Sequence, residues 1–160
     1  MVKESVYLET SLVSYLVARP NRDLIRAARQ QLTVDWWENE RAKFDLFVSD
    51  AVLQEAIAGD SNESIKRMAV LAAIPLLQIT NEAVLLAADL VKKHALPMKA
   101  AQDALHIAIA CVNGIDYLLT WNCKHIANAQ MRSKIEQTCR SAGFEPPVIC
   151  TPEEMGEGND

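Results

Sequence analysis

The chain has 160 residues, a formal net charge of −5, and a composition that is 50% hydrophobic and 23% charged. These values are typical of one globular domain with its own hydrophobic core. They argue against a membrane-spanning segment, because no apolar run reaches the roughly 18 residues required, and against a large nucleic-acid-binding surface, because the net charge is negative.

Short apolar runs, typical of buried strands, alternate along the chain with segments whose apolar residues have helical spacing. The first half predicts a strand over 2–8, helices over 12–18 and 22–42, a strand over 44–48, helices over 51–58 and 61–73, and a strand over 76–79. The second half predicts a helix over 81–94, a helix between Pro97 and Gly114, a strand over 117–119, a helix over 129–142 and a strand over 148–150. Strands that alternate with helices imply a mainly parallel sheet. We therefore predict an α/β fold of three layers, α/β/α, with the sheet in the centre.

The two ends of the chain and its cysteines give further expectations. Residues 1–150 are predicted to form one domain, and the acidic residues 151–160 a flexible tail. Thr10 and Ser11 are the N-cap candidates for the first helix. The N-terminal segment lacks an apolar stretch followed by a small-residue cleavage site, so we expect a cytoplasmic protein. The four cysteines form no C-x-x-C pair, so we expect neither a zinc site nor a disulfide.

The segment QDALHIAIACVNGIDYLLTWNCKHI, residues 102–126, carries the most information about function. Asp103 begins a helix that is apolar almost all the way round, where a charge is costly unless it is paired or binds a metal. The strand that follows ends in a cluster of polar residues: Thr120, Asn122, Lys124 and His125. The segment is therefore a candidate site.

Other acidic residues are predicted to lie near this segment. Glu9 directly follows the first strand, and Glu55 lies in the helix after the second. Ligands of parallel sheets bind at the carboxyl ends of the strands, where these side chains and Asp103 can meet. Clustered carboxylates repel one another, and a hard divalent cation relieves the repulsion. Oxygen ligands select Mg²⁺ or Mn²⁺.

Four segments in the same order resemble the motifs of the PIN domain, most closely those of bacterial VapC-type toxins. They are ETS at 9–11, SDAVLQEAIAG around Glu55, QDALHIAIA around Asp103 and YLLTWNCKHI around Asn122. The resemblance covers about residues 4–150. It implies a Mg²⁺- or Mn²⁺-dependent endoribonuclease that hydrolyses RNA phosphodiester bonds as the toxin of a type II toxin–antitoxin pair. It also implies a homodimer and a small antitoxin partner.

The resemblance assigns roles to individual residues. The family's four acidic positions, implied to be catalytic and metal-binding, fall on Glu9, Glu55, Asp103 and Asn122. The positions implied to support them through a hydroxyl fall on Thr10 and Thr120, and Lys124 and His125 could contact the substrate. Two residues depart from the family pattern. Glu9 is one methylene longer than the usual Asp, and Asn122 is neutral, which favours one-metal chemistry.

Alternatives remain open at this stage. The departures at Glu9 and Asn122 are also compatible with a weakened or inactive PIN-like domain that binds nucleic acid or protein. A nucleotide-cofactor enzyme is disfavoured, because the first strand is followed by ETSLVS and by no glycine-rich loop. His106 lies on the same helix face as Asp103, three residues on, and a hydrogen-bonded core histidine is favoured over a catalytic one. One residue of the pair Trp36–Trp37 could anchor an interface.

Overall fold

A computed structural model of the chain describes residues 2–156; Met1 and residues 157–160 lie outside the described part. Five parallel strands form one sheet in the order β3-β2-β1-β4-β5. The strands are β1 Glu4–Leu8, β2 Phe44–Ser49, β3 Leu76–Leu77, β4 Tyr117–Leu119 and β5 Val148–Cys150. This confirms the predicted α/β fold with a parallel central sheet flanked by helices.

All of the helices described except the last, which follows β5, lie between the strands, as the alternating pattern predicts. They are α1 Thr10–Val17, α2 Leu24–Asn39, α3 Asp50–Ile57, α4 Ser61–Leu71, α5 Asn81–Lys92, α6 Ala101–Val112, α7 Ala129–Ser141 and α8 Pro152–Met155. Short 3₁₀ turns, Arg41–Lys43 and Met98–Ala100, precede β2 and α6. The predicted boundaries agree with these to within three residues at each end, and those of β4 and β5 coincide with them.

The central strand explains where the core lies. Val6, Tyr7 and Leu8 of β1 are consecutive and fully buried, so both faces of this strand are covered. The helix α6 is also buried over 106–111, which accounts for its apolar character all the way round. Because β2 and β4 pair with opposite edges of β1, the carboxyl end of β1 is a point where the strand order reverses. Parallel sheets place ligand sites at such points.

The start of α1 differs from the prediction. The N-cap residue is Glu9, whose carboxylate accepts a hydrogen bond from the backbone N–H of Ser11. The prediction that Thr10 or Ser11 caps this helix is wrong, because Thr10 is the first helical residue and both hydroxyls donate to carboxylates. A carboxylate at a helix N-terminus is favoured by the exposed N–H groups and the helix dipole. The side chain of Glu9 is thereby fixed directly after β1.

Within the predicted flexible tail, residues 152–155 form the helix α8. Thr151 and Glu154 make a capping box, in which the Thr151 N–H donates to Glu154 Oε2 at 2.7 Å. Pro152 is buried, and Met155 packs against the hydrophobic core. These contacts hold the helix in place, although the acidic composition of the segment did not suggest a helix. The remaining residues of the predicted tail, 157–160, lie outside the described part.

The paired tryptophans have different environments. Trp36 is buried and stacks on Phe44, with ring centroids 6.2 Å apart. Trp37 is partly buried, and the guanidinium of Arg41 lies 4.3 Å from its ring centroid.

Of the helices described, none has both the length and the apolar composition that crossing a bilayer demands.

Candidate active site

Glu9 lies at the carboxyl end of the central strand and is almost fully buried. Its Oε1 accepts hydrogen bonds from the hydroxyls of Ser11 at 2.5 Å and Thr120 at 2.6 Å, and its Oε2 accepts the Ser11 N–H at 3.2 Å. Burying a carboxylate is costly unless such donors satisfy it. Since Thr120 follows β4, these bonds also join the ends of β1 and β4.

Glu55 approaches the same place from α3. Its Oε1 accepts a hydrogen bond from the Thr10 hydroxyl at 2.7 Å and a second, short one with Nε2 of His106. Burial alone would raise the pKa of Glu55, but the hydrogen bond and charge of His106 and the hydrogen bond from Thr10 lower it below its ordinary value. The side chain keeps 32% of its surface exposed, so this carboxylate faces both the core and the solvent.

His106 is fully buried on α6 and is hydrogen-bonded at both ring nitrogens. Its Nδ1 lies 2.7 Å from the hydroxyl of Tyr7, and that hydroxyl lies 2.8 Å from Oγ of Ser49. Tyr7 and Ser49 are fully buried as well. A chain of hydrogen bonds therefore runs through the interior from the end of β2, across β1, to the carboxylate of Glu55.

Burial and the neighbouring charges have opposite effects on the pKa of His106. Burial alone would lower the pKa of His106. The hydrogen bond to Glu55 and the negative charges of Glu9, Glu55 and Asp103 outweigh that effect and raise it. Burial raises the pKa of Tyr7 well above its ordinary value, so Tyr7 is a neutral hydroxyl at physiological pH.

Three groups converge at this edge of the sheet. Glu9, Glu55 and His106 each place one potential ligand atom within 4.8 Å of the others. We call them the acidic cluster.

Asp103 and Asn122 form a second group beside the acidic cluster. Oδ1 of Asp103 accepts a hydrogen bond from Nδ2 of Asn122 at 3.0 Å, and Oδ2 lies 3.1 Å from Nδ1 of His125. Oδ1 of Asn122 accepts the His125 backbone N–H at 3.0 Å. Asp103 lies in the first turn of α6, one turn before His106. The loop after β4 therefore holds this carboxylate at two points.

The structure thus distributes the residues chosen from the sequence over two groups. Glu9 and Glu55 share the acidic cluster, with Thr120 and Thr10 as their hydroxyl donors, whereas Asp103 and Asn122 pair with each other. His125 bonds to Asp103, and Lys124 is exposed. Asn122 donates to a carboxylate, which an aspartate at that position could not do.

Sequence reasoning missed Tyr7 and Ser49, and it named Ser11 only as a helix-cap candidate and as part of the motif at 9–11. It gave His106 little weight, although its position three residues after Asp103 was visible. A signal was available for Tyr7, because a buried tyrosine hydroxyl in an otherwise aliphatic strand requires a hydrogen-bond partner. Nothing local in the sequence identifies that partner as His106, which lies 99 residues away.

The carboxylate oxygens of this site are suitable ligands for a hard divalent cation. Two carboxylates converge, and the pKa of Glu55 is lowered, so Glu55 is ionised at neutral pH. Among the described residues, Oε2 of Glu55 has no hydrogen-bond partner, and the exposed part of this side chain gives access from solvent. Carboxylate oxygens of this kind are the ligands that Mg²⁺ and Mn²⁺ prefer.

A family model described as the PIN domain matches residues 6–124, which include the acidic cluster and the loop after β4. The chain belongs to the PIN domain family. This confirms the resemblance drawn from the four sequence segments. No curated protein matches the chain significantly in sequence.

Solved structures with the same fold include a VapC protein and two VapBC complexes. VapC20 from Mycobacterium tuberculosis, described as a sarcin–ricin-loop-cleaving toxin, is 15% identical with a TM-score of 0.59, and the match covers 89% of this chain and 99% of that one. VapBC-1 from nontypeable Haemophilus influenzae is 16% identical with a TM-score of 0.59, covering 93% and 98%. VapBC2 from Rickettsia felis, bound to promoter DNA, is 13% identical with a TM-score of 0.55, covering 92% and 98%. At these identities the likeness shows a shared PIN fold.

Proposed function

We propose that this PIN domain is a divalent-cation-dependent endoribonuclease and the toxin of a type II toxin–antitoxin pair. The observation that carries the proposal is the convergence of Glu9 and Glu55 at the carboxyl end of the central strand, each held by a hydroxyl donor. Family membership supports phosphodiester hydrolysis. The choice of RNA is supported by the fold shared with VapC20, which is described as cleaving the sarcin–ricin loop.

Glu9 and Glu55 would hold the cation, a Mg²⁺ or Mn²⁺ ion, with Asp103 and Asn122 completing the site directly or through water. When bound, such a cation activates a water molecule and stabilises negative charge on the phosphate. The protein's own contribution is to fix the carboxylates before the substrate arrives. Such fixation is a large part of how active sites stabilise developing charge.

Different hydroxyl groups hold the two carboxylates. Thr120 and Ser11 hold Glu9, and Thr10 holds Glu55. On the substrate side, the exposed Lys124 and the half-buried His125 of the loop after β4 would contact phosphate oxygens.

The two departures from the family pattern have physical consequences here. The longer side chain of Glu9 bends back to the start of α1, where it accepts the Ser11 N–H. The neutral Asn122 removes one charge and donates to Asp103 at 3.0 Å, where an aspartate would place two carboxylates in contact. The charge missing at Asn122 favours a site with one cation.

One observation favours a second candidate, a PIN-like domain that binds nucleic acid or protein with little catalysis. Both carboxylate oxygens of Asp103 are engaged within the protein, one by Asn122 and one by His125. If these bonds persist when RNA is present, Asp103 has less capacity to serve a cation. The two candidates differ in whether divalent ions support cleavage.

The partners follow from the same proposal. The fold shared with VapBC-1 and with the DNA-bound VapBC2 supports a small antitoxin as partner of this chain. A homodimer is proposed as well, because the resemblance to VapC-type toxins implies one.

The experiment that tests the proposal is RNA cleavage with added Mn²⁺ or Mg²⁺, comparing the wild type with Glu55→Gln. The matched control is Asp50→Asn, which removes an exposed carboxylate from the first turn of the same helix. The proposal expects cleavage by wild type and control, and none by Glu55→Gln. RNA binding without ion-dependent cleavage by the wild type would support the second candidate.

A further inference from the structure

The acidic cluster contains a histidine that the proposed cation site does not use. We infer that His106, held in turn by Tyr7, is a positioning residue that fixes the carboxylate of Glu55 for the cation. This inference rests on the proposed function, because it concerns a ligand of that site.

The hydrogen-bonded chain from Ser49 to Glu55 is continuous. Ser49, Tyr7 and His106 are each fully buried, and their contacts of 2.8 Å and 2.7 Å lead to Glu55. Polar groups buried in a core are costly unless every one of them is paired. Aliphatic residues would fill the same space without that cost. The chain therefore has an effect beyond packing, and its end point is the Glu55 carboxylate.

The hydrogen-bonded chain also restrains the orientation of the Glu55 carboxylate. A glutamate side chain on a helix has three rotatable bonds, and its ordering costs conformational entropy. His106 and Thr10 both bond to Oε1, which fixes the plane of the carboxylate. Oε2 is left as the oxygen without a hydrogen-bond partner among the described residues. The arrangement thus presents one defined oxygen to an incoming ion.

The contacts of His106 indicate whether this residue binds the ion itself or positions Glu55. The Nε2 atom of His106 points at Oε1 of Glu55 in a short hydrogen bond, which leaves no room for an ion between the two atoms. Its other nitrogen is engaged by Tyr7. A metal-binding histidine has one ring nitrogen on the ion and the other on a supporting group. Here both nitrogens contact protein groups, so the geometry favours His106 acting through Glu55.

The experiment is a titration of the metal-free protein with MnCl₂ by isothermal calorimetry. His106→Leu removes both hydrogen bonds, and we expect the affinity to fall by about 10- to 100-fold, as for other groups that orient metal ligands. His106→Gln keeps an N–H near the position of Nε2, and we expect it to retain most of the affinity.

Tyr7→Phe removes the hydroxyl that holds the ring, and we expect a loss of up to about tenfold. Its matched control is Tyr117→Phe, which removes a hydroxyl from the neighbouring strand β4 and should leave the affinity unchanged. Thermal unfolding without metal establishes that each variant is folded. If His106→Leu does not fold, the two milder variants decide the question.

Electron spin-echo spectroscopy of Mn²⁺ bound to the wild type adds a readout that packing alone would not change. The inference expects no modulation from a directly bound imidazole nitrogen. Such a nitrogen signal, or unchanged affinity in folded Tyr7→Phe and His106→Leu, would overturn it and leave the proposed function intact. A wild type that binds no Mn²⁺ would overturn both.

Discussion

The hydroxyl of Thr120 lies 2.6 Å from Oε1 of Glu9 and donates a hydrogen bond to it. This contact joins residues 111 positions apart in sequence, one directly after β4 and the other directly after β1. Both side chains are buried. The first carboxylate of the site is therefore held by the sheet itself, at the point where the strand order reverses.

Thr120→Val removes that donor, and also the acceptor of the Asn122 N–H at 2.9 Å, while keeping the shape of the side chain. We expect a loss of about 1.5–3 kcal/mol in the free energy of unfolding, because hydrogen bonds to charged groups contribute that much. The measurement is urea denaturation of the metal-free protein. Thr138→Val is the control, since the buried Thr138 hydroxyl donates only to the backbone carbonyl of Lys134. Equal losses in the two variants would show that the contact with Glu9 contributes nothing special.

Asp103→Asn tests the second group of the site. We expect ion-dependent RNA cleavage to fall by about 100-fold or more, the upper end of what supporting residues contribute. The fold should remain intact, because an amide can still accept a bond from Asn122 through its oxygen. Steady-state cleavage and circular dichroism check the two halves of this prediction. Cleavage as fast as that of the wild type would remove Asp103 from the site.

Asn122→Asp restores a charge that the family pattern contains. In the wild type, Oδ1 of Asp103 lies 3.0 Å from the Asn122 amide nitrogen. In the variant without metal, a carboxylate takes the place of that amide, and repulsion between the two carboxylates should lower the melting temperature. With Mn²⁺ the added charge should strengthen binding, and the variant should gain more stability than the wild type does. Thermal scans with and without millimolar MnCl₂ measure both effects. A variant that is as stable as wild type without metal would mean that the two side chains do not meet.

Thr151→Ala tests the capping box of α8. Loss of an N-cap side chain costs about 0.5–2 kcal/mol, and α8 contributes Pro152 and Met155 to the packed part of the molecule. Chemical denaturation should show a loss in that range. Glu153→Ala, at an exposed position of the same helix, is the control. No difference between the variants would indicate that this helix adds nothing to stability.

The sequence predicted the strands and their parallel arrangement because these depend on local apolar patterns. Val6 to Leu8 read as a buried strand and are fully buried. The pattern was less reliable where a side chain had two possible partners. Thr10 and Ser11 look like helix caps, but nearby carboxylates compete for their hydroxyls and Glu9 becomes the cap.

Composition alone did not indicate the helix α8 near the C-terminus. The acidic residues after Cys150 suggested a flexible tail, although the capping signal T-P-E-E was present in the sequence. Packing of Pro152 and Met155 on the rest of the chain, which no local pattern shows, orders these residues.

The site shows the same division between local and distant information. Glu9, Glu55, Asp103 and Asn122 could be proposed because each lies beside the carboxyl end of a strand or in a recognisable motif. Their division into two groups could not be predicted, since it depends on side-chain directions across β1, α3 and α6. The same holds for His106, whose partners Tyr7 and Glu55 lie 99 and 51 residues away.

Calorimetric titration of the metal-free protein with MnCl₂ measures whether Glu9 and Glu55 hold a divalent cation. We expect one Mn²⁺ bound by the wild type and by Asp50→Asn, and binding lost in Glu55→Gln. A wild type that binds no Mn²⁺, or a Glu55→Gln variant that binds it as tightly as the wild type, would mean that these two carboxylates do not hold the ion.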